Sequence, residues 1–397
     1  MAQEPADTNY DESKVPDYTL PDPLVDQAGD PVDRVAWEGH RRDEVLRLFE
    51  DHIYGATPDT ELPVRYEVLE SDEDALEGRA TRKQIAAYFG DSGVRVDILM
   101  FVPNQRSGPV PAFLGLNFEG NHTVSSDEAI RTRGLGSERG LKSSRWQAEM
   151  VIEHGYALVT AHRDQIDPDN YRHDFSDGVH PLFYKEGQTQ PGPQEWGSIG
   201  AWAWGLSRIL DYLETDPSVD AERVAVIGHS RLGKTALWAG AQDQRFSMVI
   251  SNNSGCGGAA LYRRQYGERL HHMIRPVGYW FCRHHQRYQR RETELPVDQH
   301  MLLALVAPRP VYVASATEDR WADPKGEFLA AKKASSVYEL YGLATLSDSD
   351  WPEPNDPLHR SIGYHLRSGK HDVTAYDWKQ YLRFANQHLR PSGPGSR

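Results

Sequence analysis

The run Arg223-Val-Ala-Val-Ile-Gly228-His229-Ser230-Arg231-Leu232-Gly233-Lys234-Thr235-Ala236-Leu237-Trp238 carries the strongest architectural signal of the chain. Val224 to Ile227 read as a short buried strand that enters a tight Gly-x-Ser turn and leaves it as a helix. This is the setting of a nucleophile elbow, in which a strained turn lifts a serine hydroxyl above a sheet and the following helix aims its N–H groups at a developing oxyanion. Gly228 removes a side chain that would collide with the turn. The second glycine stands at Gly233, three residues after Ser230, with Leu232 in its usual place, so the match is imperfect and Ser230 also suits a plain helix N-cap. Arg231 and Lys234 favour the nucleophile. Positive charge in the first turn of a helix opposes its dipole, so two cations there require another reason, such as a bound anion.

Outward from this segment, Ala112–Leu116, Tyr156–Thr160, Met248–Ser251 and Val311–Ala314 are further buried strand candidates, and Trp196 to Leu213 and Gly233 to Ala241 have helical periodicity. Strand and helix alternate as in a doubly wound, mostly parallel sheet with helices on both faces. Val64 to Leu69, Ala80 to Phe89 and Val94 to Val102 precede it as an antiparallel start, with Gly90-Asp91-Ser92-Gly93 as a hairpin turn. An amphipathic helix spans Trp37 to Tyr54. The stretches 120–150, 164–195 and 257–300 exceed ordinary connections and read as loop insertions over one sheet edge. Residues 1–34, rich in Pro and Asp, read as an extended lead that wraps the body, and 35–397 as one α/β domain.

The chain has 397 residues, 39% of them hydrophobic, with 58 Asp plus Glu against 44 Lys plus Arg and a net charge of -14. That balance argues against a nucleic-acid partner, which would require a basic excess or stripe. The longest apolar run, Met301 to Ala307, is far short of the ~20 residues of a membrane span. The first residues lack the pattern of a signal peptide. Cys256 and Cys282 are the only cysteines, and one bridge or two buried thiols both fit.

A serine nucleophile needs a base and an acid, which in this architecture follow in the order Ser, acid, His. Of His359, His365 and His371, the last lies in a flexible loop, Ser368-Gly369-Lys370-His371-Asp372, just before the final helix, Tyr376 to Leu389. His371 is the chosen base. Beyond the strand Val311–Ala314, Asp319 is preferred as acid over Glu318 and Asp323, and Asp323 suits the cap of a helix from Pro324. The pairs His271-His272 and His284-His285 suggest a metal, but adjacent histidines point in different directions and no His-Glu-x-x-His occurs, so no metal is expected. Arg263, Arg264, Arg283, Arg287, Arg290 and Arg291 crowd the same insertion and either bind an acidic sugar or pair with the acidic excess.

The chain resembles the glucuronoyl esterase family, carbohydrate esterase family fifteen, and especially its bacterial branch. The resemblance covers most of the chain. It is carried by Phe113-Leu-Gly-Leu-Asn117-Phe-Glu-Gly120-Asn121-His122-Thr123, Gly228-His-Ser-Arg-Leu-Gly-Lys234, Leu295-Pro-Val-Asp-Gln-His300, Ala307-Pro-Arg-Pro310, Trp321-Ala-Asp-Pro-Lys-Gly-Glu-Phe328 and Gly369-Lys-His371 with Asp377-Trp378. It implies an α/β-hydrolase fold, a three-layer sandwich, and a serine esterase acting on glucuronic acid esters of xylan with lignin alcohols or methanol. It also implies Ser230 as nucleophile, Arg231 completing the oxyanion hole, Lys234 binding the uronate sugar, His371 as base and Trp321 as a sugar-contacting aromatic. No cofactor is required; a monomer, secreted or periplasmic, its signal peptide absent from this chain, is the expected form.

Three departures qualify the resemblance. Asn253 stands where family members often carry a Glu, which moves the acid to Asp319. Val277 and His285 stand where the family's sugar-binding Gln and Glu are expected. Glu119 sets a carboxylate near the oxyanion side. The competing readings are an acetylxylan-type or promiscuous esterase with the same triad, and an inactive carbohydrate-binding relative.

Overall fold

The computed structural model describes residues 5–170 and 174–389. The first three strands, β1 (Val64–Asp74), β2 (Ala80–Phe89) and β3 (Arg95–Pro103), pair antiparallel. They are followed by β4 (Val110–Asn117), β5 (Ala157–His162), β6 (Val219–His229), β7 (Met248–Asn252), β8 (Val311–Ala316), β9 (Leu358–His359) and β10 (Ile362–Arg367). All ten form one sheet in the order β1-β2-β3-β5-β4-β6-β7-β8-β10-β9. From β5 to β10 the neighbours are parallel, so the loops leaving their carboxyl ends gather along one edge, where open α/β sheets bind ligands.

The parallel strands are buried on both faces, and their two-residue period sorts the side chains into two cores. Val224, Val226, Val249, Val311 and Val313 pack with the helices Ser198–Leu213, Arg231–Gln242 and Pro324–Glu339. Ala225, Ile227, Met248, Ile250, Tyr312 and Ala314 pack with the helices Ala148–Glu153 and Ala375–His388. The result is a three-layer sandwich.

Each strand read from apolar pattern is present, most of them longer by a few residues. The antiparallel edge strand β1 continues to Asp74, well past Leu69. The apolar pattern marks neither β9 nor β10. Ile362-Gly-Tyr-His-Leu-Arg367 carries a glycine, a histidine and an arginine, which disguise a fully buried strand. The disguise has a physical reason. A side chain at Gly363 would stand 2.2 Å from the Tyr312 ring, and His365 and Arg367 are both paired inside the protein with Asp377, at 2.9 Å each. The single amphipathic helix expected over 37–54 is an α-helix, Arg42–Phe49, between the π-helical turns Trp37–Arg41 and Glu50–Tyr54.

From Pro5 on the lead is tied to the body at several points, and its residues 1–4 lie outside the described residues. Glu12 pairs with Arg264 at 2.6 Å and Lys325 at 3.2 Å, and the Pro21 carbonyl takes a bond from His300 at 2.9 Å. Cys256 and Cys282 are both buried free thiols, which decides between the two readings of the cysteines. Among the described residues, no helix is long and apolar enough to cross a membrane.

Candidate active site

Ser230 joins β6 to the helix Arg231–Gln242 with φ 58° and ψ −130°, a conformation that costs a non-glycine residue of order 1–3 kcal/mol and persists only where the surroundings enforce it. Here they do. The Ser230 N–H donates to the Asn252 carbonyl at 2.9 Å and its own carbonyl accepts from Gly233 at 2.8 Å. A β-carbon at Gly228 would lie 1.8 Å from the Leu232 oxygen, so only glycine closes this turn. The Ser230 side chain makes no capping bond to its helix, which sets the plain N-cap reading aside.

The loops after β8 and β10 are laced together beside this turn. Thr317 N–H donates to the Arg367 carbonyl and Glu318 N–H to that of Gly369, at 2.9 and 2.8 Å. This brings Asp319 against His371, with Nδ1 2.6 Å from Oδ2. The carboxylate is 5% exposed and the imidazole 42%, so the ring is anchored at one end and open to solvent at the other. Asn253, held with φ 47°, donates its Nδ2 to the same Asp319 oxygen at 2.7 Å. Arg367 braces the His371 loop from both sides, bonding the carbonyls of Lys370 and Asp372 at 2.7 and 3.0 Å. His229 lies behind His371, ring to ring at 4.5 Å. Burial and then the neighbouring His371 push its imidazole well below the ordinary range, so it stays neutral there.

The two cations at the helix start find their anions inside the protein, which replaces the expectation of a bound one. Arg231 meets Asp169 at 2.5 Å, and its guanidinium lies over the Phe118 and Trp280 rings at 5.6 and 4.7 Å. Burial raises the Asp169 carboxyl, but the charges of Arg231 and Arg163 with bonds from Tyr279 and Trp280 outweigh it and leave the group below its ordinary value. Lys234 is buried, donating to the carbonyls of Ser254 and Cys256 at 2.7 and 2.6 Å and lying 3.4 Å from Glu268.

A family model described as glucuronyl esterase, fungi, matches residues 143–342. A carbohydrate esterase from an unknown prokaryotic organism is 48% identical over 406 aligned positions, covering 97% of this chain and 93% of its own. The chain belongs to the glucuronoyl esterase family. The glucuronoyl esterase from Solibacter usitatus is similar in structure, with a TM-score of 0.92 and 47% identity over 95% of this chain and all of that one. A promiscuous esterase of carbohydrate esterase family fifteen from a marine bacterial metagenome has a TM-score of 0.90 and 48% identity, covering 96% of this chain and all of its own. The 4-O-methyl-glucuronoyl methylesterase 1 of Wolfiporia cocos is 33% identical over 201 residues, 48% of each chain. The protein is accordingly a carboxylic ester hydrolase with the α/β-hydrolase fold.

In this glucuronoyl esterase, Ser230, Arg231, Lys234, Asp319, Trp321 and His371 all line one cleft of about 880 Å³. The other two acid candidates are disposed differently. Glu318 lines the cleft, whereas Asp323 caps the helix Pro324–Glu339 through Gly326 N–H and pairs with Arg264 at 2.9 Å. Glu119 pairs with Lys142 at 3.1 Å, and it is Phe118 that faces Arg231.

Of the two places where the sugar-binding Gln and Glu are expected, one lies in the cleft and the other does not. Val277 lines the cleft, but His285 is buried among Tyr262 and Phe281, where burial pushes its imidazole down to about 3. Beside Glu318 and Asp319, the cleft holds a further carboxylate that the sequence reading does not single out, Glu268. Its signal was its place in the same insertion, three residues after Gln265, and only the fold sets it beside Lys234.

One of the two histidine pairs departs from expectation, whereas His284, on the Asp51 carbonyl, and His285, on the Tyr262 hydroxyl, do point apart. The His271 and His272 rings are 4.0 Å apart, and both Nε2 atoms meet Asp7, at 2.9 and 3.1 Å. The cause is the helix start: His272 Nδ1 accepts from the Arg269 N–H at 3.1 Å, turning the ring back toward its neighbour. That bond leaves the proton of a neutral His272 on Nε2, donating to Asp7, and Arg290 supplies a cation to the same carboxylate at 2.7 Å. These groups fit a hydrogen-bonded latch for the lead better than a cation site. Most of the arginine cluster pairs with acids: Arg263 with Asp298, Arg264 with Asp323 and Glu12, Arg290 with Asp7, and Arg291 with Glu294.

Proposed function

We propose that this esterase cleaves the ester joining a 4-O-methyl-glucuronic acid substituent of xylan to an alcohol, a lignin alcohol in plant cell walls or methanol in an assay. The observation that carries the reading is the 2.6 Å contact of Asp319 with His371 in the cleft that also holds Ser230 and the Lys234–Glu268 pair. Ser230 Oγ attacks the C6 carbonyl while His371 Nε2 takes its proton. Asp319 keeps the other ring nitrogen protonated and stabilises the imidazolium. The tetrahedral oxyanion is held by the Arg231 side chain and by the backbone N–H that follows the nucleophile; removing one such donor costs about 2.7–4 kcal/mol in another acyl-transfer site. Return of the proton expels the alcohol, and water activated by His371 releases the acid. Lys234, Glu268 and Trp321 orient the sugar. The catalytic unit is 35–397 and the lead is 1–34, packed on it from Pro5 on, with the protein acting as a monomer outside the cytoplasm.

Hydrolysis of benzyl and methyl glucuronate is the test, with acetylated xylan alongside. Turnover of the uronate esters, lost in Ser230→Ala while glucuronate still binds, is the expected result. No turnover of either uronate ester refutes the proposal. Deacetylation alone would support the acetylxylan-type reading, which the apolar wall of Met273, Pro276 and Val277 in the cleft and the promiscuous relative favour.

A further inference from the structure

We propose that Asp169 is a positioning residue for the oxyanion arm: its buried carboxylate fixes the Arg231 guanidinium and locks the 257–300 insertion onto it. The inference rests on the reading of Arg231 as an oxyanion donor.

Asp169 lies in the insertion that follows β5, and its side chain is 2% exposed, against 33% for Arg231. Each carboxylate oxygen takes donors from a different part of the chain. Oδ1 accepts from the Tyr279 hydroxyl at 2.6 Å and from Trp280 Nε1 at 2.9 Å. Oδ2 accepts from Arg231 at 2.5 Å and from Arg163 at 2.9 Å. Trp280 also lies 4.7 Å from the Arg231 guanidinium, so one carboxylate sets both the cation and a surface it stacks on. Arg163 in turn donates to the Phe118 carbonyl at 2.8 Å, and Phe118 supplies another ring near Arg231.

An arginine side chain has several rotatable bonds, and an unrestrained one would have to be ordered when charge develops on the substrate oxygen. Asp169 orders it beforehand. A carboxylate so close also lowers the net positive field of Arg231, which would weaken a simple anion-binding role. The arrangement therefore makes sense where orientation matters more than charge. Because the oxyanion forms only in the transition state, loss of that orientation lowers kcat and leaves KM nearly unchanged.

The experiment is a kinetic cycle on benzyl glucuronate with Asp169→Asn, Arg231→Ala and the double variant, each checked by thermal unfolding. Removing an oxyanion donor costs about 10²–10³-fold in kcat elsewhere; Asp169→Asn should lose about 10–100-fold with KM within about 3-fold. In the Arg231→Ala background the same substitution should lose nothing further. An equal loss in both backgrounds, or an unchanged kcat in Asp169→Asn, overturns the inference. Should Asp169→Asn not fold, Tyr279→Phe removes one Oδ1 donor without a charge change. It should lower kcat only when Arg231 is present, and a loss in both backgrounds overturns the inference equally. Near wild-type kcat in Arg231→Ala would mark the failure as that of the oxyanion reading itself.

Discussion

Replacing Glu327 by Gln should flatten the dependence of stability on pH between about 4.5 and 8. Glu327 is fully buried on the helix Pro324–Glu339. One oxygen accepts from the N–H groups of Ser254 and Gly255 at 2.8 and 2.9 Å, and the other from the Ser315 hydroxyl at 2.6 Å. It thereby holds the turn that offers Asn253 to Asp319. Burial raises its carboxyl from 4.5 to about 8, against the bonds from Ser315 and Gly255. The folded protein thus holds this proton more tightly than the unfolded chain. Its contribution to stability is full below about pH 4.5 and is lost as pH rises through 8. At 1.36 kcal/mol per pH unit, the rise from 4.5 to about 8 amounts to about 5 kcal/mol. The amide of Gln keeps an acceptor for the two N–H groups, can donate to Ser315 and does not ionise. Urea unfolding followed by tryptophan fluorescence at pH 5, 7 and 9 measures the effect. The variant should gain a few kcal/mol on the wild type between pH 5 and 9. The lowered imidazoles of His229 and His285 lose stability as pH falls, equally in both proteins, and cancel. Parallel curves for the two proteins would refute the reasoning.

Asp319→Asn should keep His371 in place but lower kcat on a uronate ester by about 10²–10⁴-fold, since an amide cannot balance the imidazolium; an activity loss under 10-fold would remove Asp319 from the acid role. Glu268→Gln should raise KM for uronate esters while changing acetyl ester turnover little, measured on the two substrates side by side. Gly228→Ala should abolish soluble expression or lower the unfolding temperature sharply, because its β-carbon would overlap the Leu232 carbonyl; a normally stable variant would contradict the turn geometry. Burial raises both thiols, that of Cys282 to about 11, so a thiol reagent at pH 8 should titrate none in the native protein and two after unfolding.

The parts of this site legible in the sequence are those whose local chemistry is unusual. A Gly-x-Ser turn after an apolar strand has few other uses, and cations at a helix start conflict with the dipole, so Ser230, Arg231 and Lys234 announce themselves. His371 was reachable because strand order and a polar loop before the last helix narrow three histidines to one. The illegible parts are those made by chain crossing. Nothing near Asp169 in sequence points to Arg231, since the two lie 62 residues apart, and Glu268 gains its partner only when the insertion folds over the cleft. β10 was hidden for a related reason: its polar residues are satisfied by Asp377 from the following helix, and apolar pattern alone is blind to such pairing.

Asn253 shows how one substitution changes meaning once distances are known. By sequence it is the loss of an expected carboxylate. In the fold its amide donates to Asp319 Oδ2, the same oxygen that His371 Nδ1 meets. A carboxylate at 253 would put two negative charges in contact at a buried position, and one of them would have to take up a proton. With Asp319 bonded to His371, the group required at 253 is therefore a donor without charge. Asn supplies this, and its φ of 47° is one that asparagine tolerates better than most residues. The amide at 253 and the carboxylate at 319 are a matched pair, and exchanging them would need both positions changed together.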